Sequence, residues 1–150
     1  MDSIDKNILM LLQQNAKYNT KEIAEKVGLS VSPTFERIKK LEQKKYIKRY
    51  AALLDGTKLG KSINVYCQVT LAIHSRELID NFKEQVDELP EITGCFHVSG
   101  NYDFLLKIAV IDMNEYQKFI IDKLSVIKGI SNVQSSFVME EIKNDYIYNL

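Results

Sequence analysis

The chain has 150 residues, 45% of them hydrophobic and 27% charged, which excludes a disordered or fibrous chain and fits one ordinary domain or two small ones. Its 20 Lys and Arg balance 20 Asp and Glu, but unevenly. Residues 1–60 hold 12 bases against 7 acids, a net of +5, and residues 61–150 hold 8 against 13, a net of −5.

No apolar run is long enough to span a bilayer and the start lacks a signal-peptide pattern, so no membrane contact and a cytoplasmic location are expected. Cys67 and Cys95 sit in strand-like apolar segments and read as small buried hydrophobes. His74 and His97 show no ligand spacing, so no metal is expected. A basic front and an acidic back suggest two jobs, one of them nucleic acid contact.

Residues 4–12 place Ile4, Ile8, Leu11 and Leu12 on one helical stripe, and Asp2 and Asp5 suit the start of that helix. In "YNTKEIAEKVGL", Asn19 is a helix N-cap and Glu22 completes a capping box. Ile23, Ala24 and Val27 face inward there, and Gly28 suits a left-handed helix end.

Ser32 is expected to cap a third helix, with Pro33 at its first position. Phe35, Ile38, Leu41 and the stem of Lys45 form its inner side. Ser32, Thr34, Glu36, Arg37, Lys40 and Lys44 fall largely on the other side. Such a helix can offer its first two turns to base edges in a major groove and hold phosphates with the rest. "YIKRYAALLD" reads as a short wing strand with a turn at Asp55-Gly56. Lys45, Lys48 and Arg49 at its base suit phosphate contact. Surface helices are often Lys-rich, and three-helix packing alone accounts for the fold signals. It does not account for so basic a leftover face.

In the back half, "SINVYCQVTLA" alternates as a strand. Ser75 caps a helix carrying Leu78, Ile79, Phe82, Val86 and Leu89, and Pro90 stops it. Two strands flank a turn at Gly100-Asn101, Asp112 caps a second helix that Gly129 ends, and "VQSSFVMEEI" is the last strand. The order βαββαβ matches the ferredoxin-like split arrangement, with strands one and three central. Two helices cover one face of such a sheet. The third strand also carries apolar residues on the other face, so a second copy of the sheet is expected there, giving a homodimer.

Four stretches together carry a specific resemblance: "IDKNILMLLQQNAKYNTKEIAEKVGLS", "SPTFERIKKLEQKKYIKRYAALLD", "VSGNYDFLLKI" and "VMEEIK". They resemble the Lrp/AsnC family of leucine-responsive, or feast/famine, transcriptional regulators. The resemblance implies an α+β protein, with an N-terminal winged helix-turn-helix and a C-terminal ferredoxin-like βαββαβ ligand-sensing domain. It implies residues 1–50 as the DNA-binding domain, 51–61 as wing end and linker, 62–143 as the effector-binding and oligomerisation domain, and 144–150 as a tail. It also implies dimers that assemble into tetramers or octamers on double-stranded DNA, and an amino acid effector held between dimers.

By motif, the family's ligand loop falls on Ser99, Gly100, Asn101, Tyr102 and Asp103, with Ser135 on the last strand. Asp103 could receive an α-ammonium group and amides near Gly100 a carboxylate. The same "SGNYD" also reads as turn chemistry, with Asp103 capping local amides. The tail could pad an interface between dimers or lie on its own domain.

The resulting expectation is a sequence-specific DNA-binding regulator that answers a small effector through its assembly and needs no cofactor. The alternative is an effector-independent architectural protein that wraps DNA. An enzyme finds no support, because His97 has no evident nucleophile or acid beside it and there is no phosphate loop.

Overall fold

Asp2 opens the first helix, α1 (Ser3–Gln14), through a capping box in which the side chains of Asp2 and Asp5 each accept the other's backbone N–H. In the computed structural model, which describes residues 1–144 and 146–150, this helix belongs to a unit formed by Met1–Leu53 and Ile142–Leu150. A second unit spans Leu54–Glu141.

In the first unit, α2 (Thr20–Val27) begins at the Asn19–Glu22 capping box and ends at Gly28, whose φ of 72° is the left-handed cap the sequence suggests. The third helix, α3 (Val31–Gln43), starts two residues earlier than expected. Ser30, not Ser32, is its N-cap, and Pro33 is its third residue. Proline is tolerated there because amides in the first turn have no intrahelical acceptor.

The inner side of α3 also differs from expectation. Thr34 is fully buried and Leu41 nearly so, whereas Phe35 is 50% exposed. Threonine is tolerated in this core because its Oγ1 donates to the Ser30 carbonyl at 2.9 Å, leaving no unpaired donor. Ile8, Ile23 and Leu41 form the centre, with Ile4, Leu12, Val27 and Ile38 around them.

The helix ends in a Schellman arrangement: the Tyr46 N–H bonds the Leu41 carbonyl at 3.0 Å and the Lys45 N–H bonds that of Glu42 at 2.9 Å. Lys45 therefore takes a left-handed φ of 61°, and its stem lies outside rather than on the inner stripe.

The expected wing strand is not formed. Residues 46–62 join no ladder in this single chain, because a strand exists only against a partner edge. The turn at Asp55-Gly56 is present, with the Asp55 carboxylate accepting the Thr57 N–H at 3.0 Å. The tail belongs with the first unit: the Gln13 side-chain amide accepts the Tyr148 N–H at 2.7 Å and donates to the Tyr148 carbonyl at 3.1 Å.

The second unit is a four-stranded antiparallel sheet of β1 (Ile63–Leu71), β2 (Ile92–His97), β3 (Phe104–Val110) and β4 (Ile130–Phe137), in the order β2-β3-β1-β4. It is the ferredoxin-like order, with β1 and β3 central. The helices are α4 (Arg76–Asp87), capped by Ser75, and α5 (Met113–Lys118), capped by Asp112. A π-helical segment, Phe119–Leu124, continues α5. The wide turn spaces Phe119 and Leu124 five apart with both buried, and turns Lys123 toward Glu91.

Val65, Cys67, Val69, Phe104, Leu106 and Ile108 are fully buried against Phe82, Phe119 and Leu124. Each such side chain removed from water stabilises the fold by about 1.5–3 kcal/mol. The opposite face of the sheet carries Tyr66, Gln68, Phe96, Leu105 and Lys107, as the strand alternation requires. Cys95 is exposed, contrary to expectation, because β2 is an edge strand that the helical layer reaches only in part.

Glu91 is 8% exposed and its Oε1 meets Lys123 Nζ at 2.5 Å. Burial, the largest single influence, raises its carboxyl pKa, but the hydrogen bond from Lys123, a backbone hydrogen bond and the charges of Lys123 and Lys61 together outweigh it and leave the group below the ordinary 4.5. A depressed carboxyl contributes stability above its unfolded pKa that is lost as pH falls through the folded value. Lys123→Met is expected to destabilise the second unit by about 1–3 kcal/mol at pH 7. In urea titrations, that difference from wild type narrows only as pH falls below 4.5 and through the depressed Glu91 pKa, where wild-type Glu91 also becomes neutral.

Candidate nucleic-acid interface and effector loop

The candidate interface is the side of α3 that core packing leaves outside. With Thr34 and Leu41 buried, helical periodicity turns Ser32, Glu36, Lys39, Lys40 and Gln43 outward, and all five are exposed. Lys44 and Lys45 follow at the helix end, and Lys48 and Arg49 lie beyond it, all exposed. Long cations flank short polar groups, the distribution that suits a groove lined by phosphates.

Two expected members are placed otherwise. Thr34 is in the core and cannot meet a base. Arg37 is half-buried and engaged: its Nη1 lies 2.8 Å from Asp2 Oδ2 and 2.7 Å from Asp5 Oδ1. The hydrogen bonds that it donates to Asp2 and Asp5 hold the guanidinium even further above its ordinary range. The Asp5 amide, followed by Arg37, holds the Asp2 carboxyl below its own. All four oxygens of these carboxylates are in use, two on the capping amides and two on Arg37. Arg37 thus ties the middle of α3 to the start of α1, where sequence reasoning assigned it to bases.

Lys39, Gln43, Val31 and Phe35 were missed as outward residues. The charge run itself pointed to Lys39. For the others, assigning Phe35 to the core hid the true phase of the helix.

After α3, Tyr50 returns to it, its hydroxyl donating to Glu42 Oε1 at 2.8 Å. Burial and the Glu42 carboxylate push that phenol up to about 12, so it stays a donor at every physiological pH.

In the second unit, Ser99, Gly100 and Asn101 are exposed at the tip of the β2–β3 connection, and Tyr102 and Asp103 are half-buried. Gly100 has a φ of 148°, a conformation side chains rarely adopt, with open space around it. The connection is pinned by Val98 N–H to Asp103 O and Asp103 N–H to Val69 O, both at 2.9 Å. The Asp103 carboxylate is occupied as well. Oδ2 accepts the Leu71 N–H at 2.7 Å, and Oδ1 lies 2.7 Å from Nε2 of the exposed His74. The contact with the Leu71 amide is the capping role, one of the two that the sequence left open.

Ser135 does not join the loop. It pairs with Cys67 across β1–β4, on the helix-covered face, and its hydroxyl bonds that of Tyr116. Burial, chiefly, pushes the Tyr116 phenol up to about 12 and raises the Cys67 thiol. Among the described residues no cluster of His, Cys, Asp or Glu fits a metal ion, and no helix is long and apolar enough to cross a membrane.

Two family matches meet near the boundary between the two units, the second also taking in the tail that the structure places with the first unit. Residues 1–48 match winged helix-turn-helix DNA-binding domains, and residues 64–148 match the Lrp/AsnC ligand binding domain. The leucine-responsive regulatory protein of Escherichia coli is 37% identical over 143 residues, covering 95% of this chain and 87% of that protein. The Bkd operon transcriptional regulator of Pseudomonas aeruginosa is 32% identical over 142 residues, covering 95% and 93%. A transcriptional regulator from Neisseria meningitidis, solved as an L-Met complex, superposes with a TM-score of 0.93 at 34% identity, covering 97% of this chain and 94% of that one. An AsnC family regulator from Agrobacterium tumefaciens gives a TM-score of 0.93 at 36% identity, covering 99% and 97%. These relatives are transcriptional regulators, not enzymes. The chain belongs to the Lrp/AsnC family of DNA-binding transcriptional regulators.

Proposed function

We propose that this regulator binds double-stranded DNA in a sequence-selective way through the outward side of α3, as a dimer or larger ring of cytoplasmic protomers, and that a small amino acid modulates its assembly. The observation that carries the first part is the exposed array of Ser32, Glu36, Lys39, Lys40 and Gln43, continued by Lys44, Lys45, Lys48 and Arg49. Ser32 and Glu36, in the first two turns, suit base edges, where a carboxylate accepts from the cytosine amino group. The lysines and Arg49 suit phosphates, which set register but select no base. Arg37 contributes indirectly, by fixing α3 against α1.

Dimerisation is supported by the second face of the sheet. Phe96 is 53% exposed, and Tyr66 and Leu105 share that face. A second copy of the same face covers it with twofold symmetry and supplies two reading helices. The effector part rests on the family and on the open loop at Ser99, Gly100 and Asn101, whose backbone amides suit a carboxylate. An α-ammonium group would take the place of the exposed His74 on Asp103 Oδ1. A tenfold preference for one assembly state corresponds to about 1.4 kcal/mol.

The effector-independent architectural reading is favoured by one observation, that both Asp103 oxygens are already engaged. Sedimentation across an amino acid panel separates the two readings. The proposal expects at least one amino acid to shift the oligomer distribution or operator affinity, and expects Leu105→Glu to sediment as a monomer. No shift with any amino acid leaves the architectural reading, and an unaltered Leu105→Glu dimer removes the sheet face as the interface.

Electromobility titrations test the phosphate assignment. Lys48→Ala with Arg49→Ala is expected to weaken all duplexes alike and to lower the salt slope by about 2 for each protomer bound to the duplex. A loss confined to some sequences would contradict it.

A further inference from the structure

We propose that Val31 and Phe35 are specificity-determining residues that recognise thymine C5-methyl groups in the major groove. The inference rests on α3 being the reading helix and adds what it reads.

Val31 is 48% and Phe35 50% exposed, although Thr34, Ile38 and Leu41 already supply the side of α3 that meets the core. Four residues apart, the two lie on one flank of the first two helical turns. They border Ser32, Glu36 and Lys39, all exposed and polar. An apolar pair set into a basic face needs a partner that is anionic around an apolar point. A duplex major groove has that composition: phosphates line it, and the thymine methyl is the apolar group on its floor. A protein surface that complements the lysines would instead place acids around the pair.

Phe35 lines a surface groove with Tyr18, Thr20, Ile38 and Lys39, with half of its surface facing out. Sequence periodicity did not separate this role from core packing, because the phase that buries Phe35 is equally regular.

The test uses the full-length protein and duplexes it enriches from a random pool at fixed salt. Each thymine is then replaced singly by deoxyuridine, which removes the methyl and keeps the base pair. At one or two positions per half-site, wild-type affinity is expected to fall about 3- to 10-fold. Phe35→Ala is expected to bind thymine and uracil equally at one of those positions, and Val31→Ala at its neighbour, with far-ultraviolet circular dichroism showing both folded. Phe35→Leu, which keeps an apolar contact and covers the case of an unfolded Phe35→Ala, is expected to retain part of the discrimination.

Equal wild-type binding to thymine and uracil at every position overturns the assignment. So does undiminished discrimination in Phe35→Ala, or in Phe35→Leu and Val31→Ala together. If wild type enriches no duplex at all, the reading role of α3 falls and this inference falls with it.

Discussion

The burial of Thr34 decides what the DNA-binding unit can present. Only one side of α3 can meet α1 and α2, and the identity of its central buried residue fixes the rotation of the helix about its axis. A threonine can take that place because its hydroxyl goes back to the Ser30 carbonyl. Once it is inside, Lys39, Lys40 and Gln43 are outside, and so is Phe35. The charged face follows from a packing choice made one residue away.

A second constraint acts on the same helix through charge. Arg37 takes two carboxylates that also cap α1, so one network starts the first helix and holds the third. A free arginine would add to phosphate attraction. Here its charge is paired within the protein, which leaves the remaining cations to the proposed interface. On the proposed interface, Lys44, Lys45, Lys48 and Arg49 would orient the domain on a duplex, and selectivity would fall to short and apolar groups near the start of α3.

The features sequence could reveal are those made by neighbours in the chain. Asn19 with Glu22, Ser75 and Asp112 were readable because capping joins groups three residues apart. The alternation of β1 was readable because its period is two and one face is buried. Arg37 was misread because its partners lie 35 and 32 residues away. The wing strand was expected from composition, but pairing is not a local property. Thr34 was assigned outward and Phe35 inward because ranking by hydrophobicity cannot see a hydroxyl satisfied by its own helix. Asp103 was left between two roles, and only the positions of Leu71 and His74, far off in sequence, favour the local cap.

The central claim is that the outward side of α3 meets the duplex. Amine labelling of the full-length protein, read residue by residue by mass spectrometry with and without bound duplex, tests it most directly. Lys39, Lys40, Lys44 and Lys48 should lose reactivity on binding, while Lys83 and Lys123 of the sheet domain keep theirs. Unchanged labelling at Lys39 and Lys40, with protection only in the sheet domain, would show that the duplex is held elsewhere.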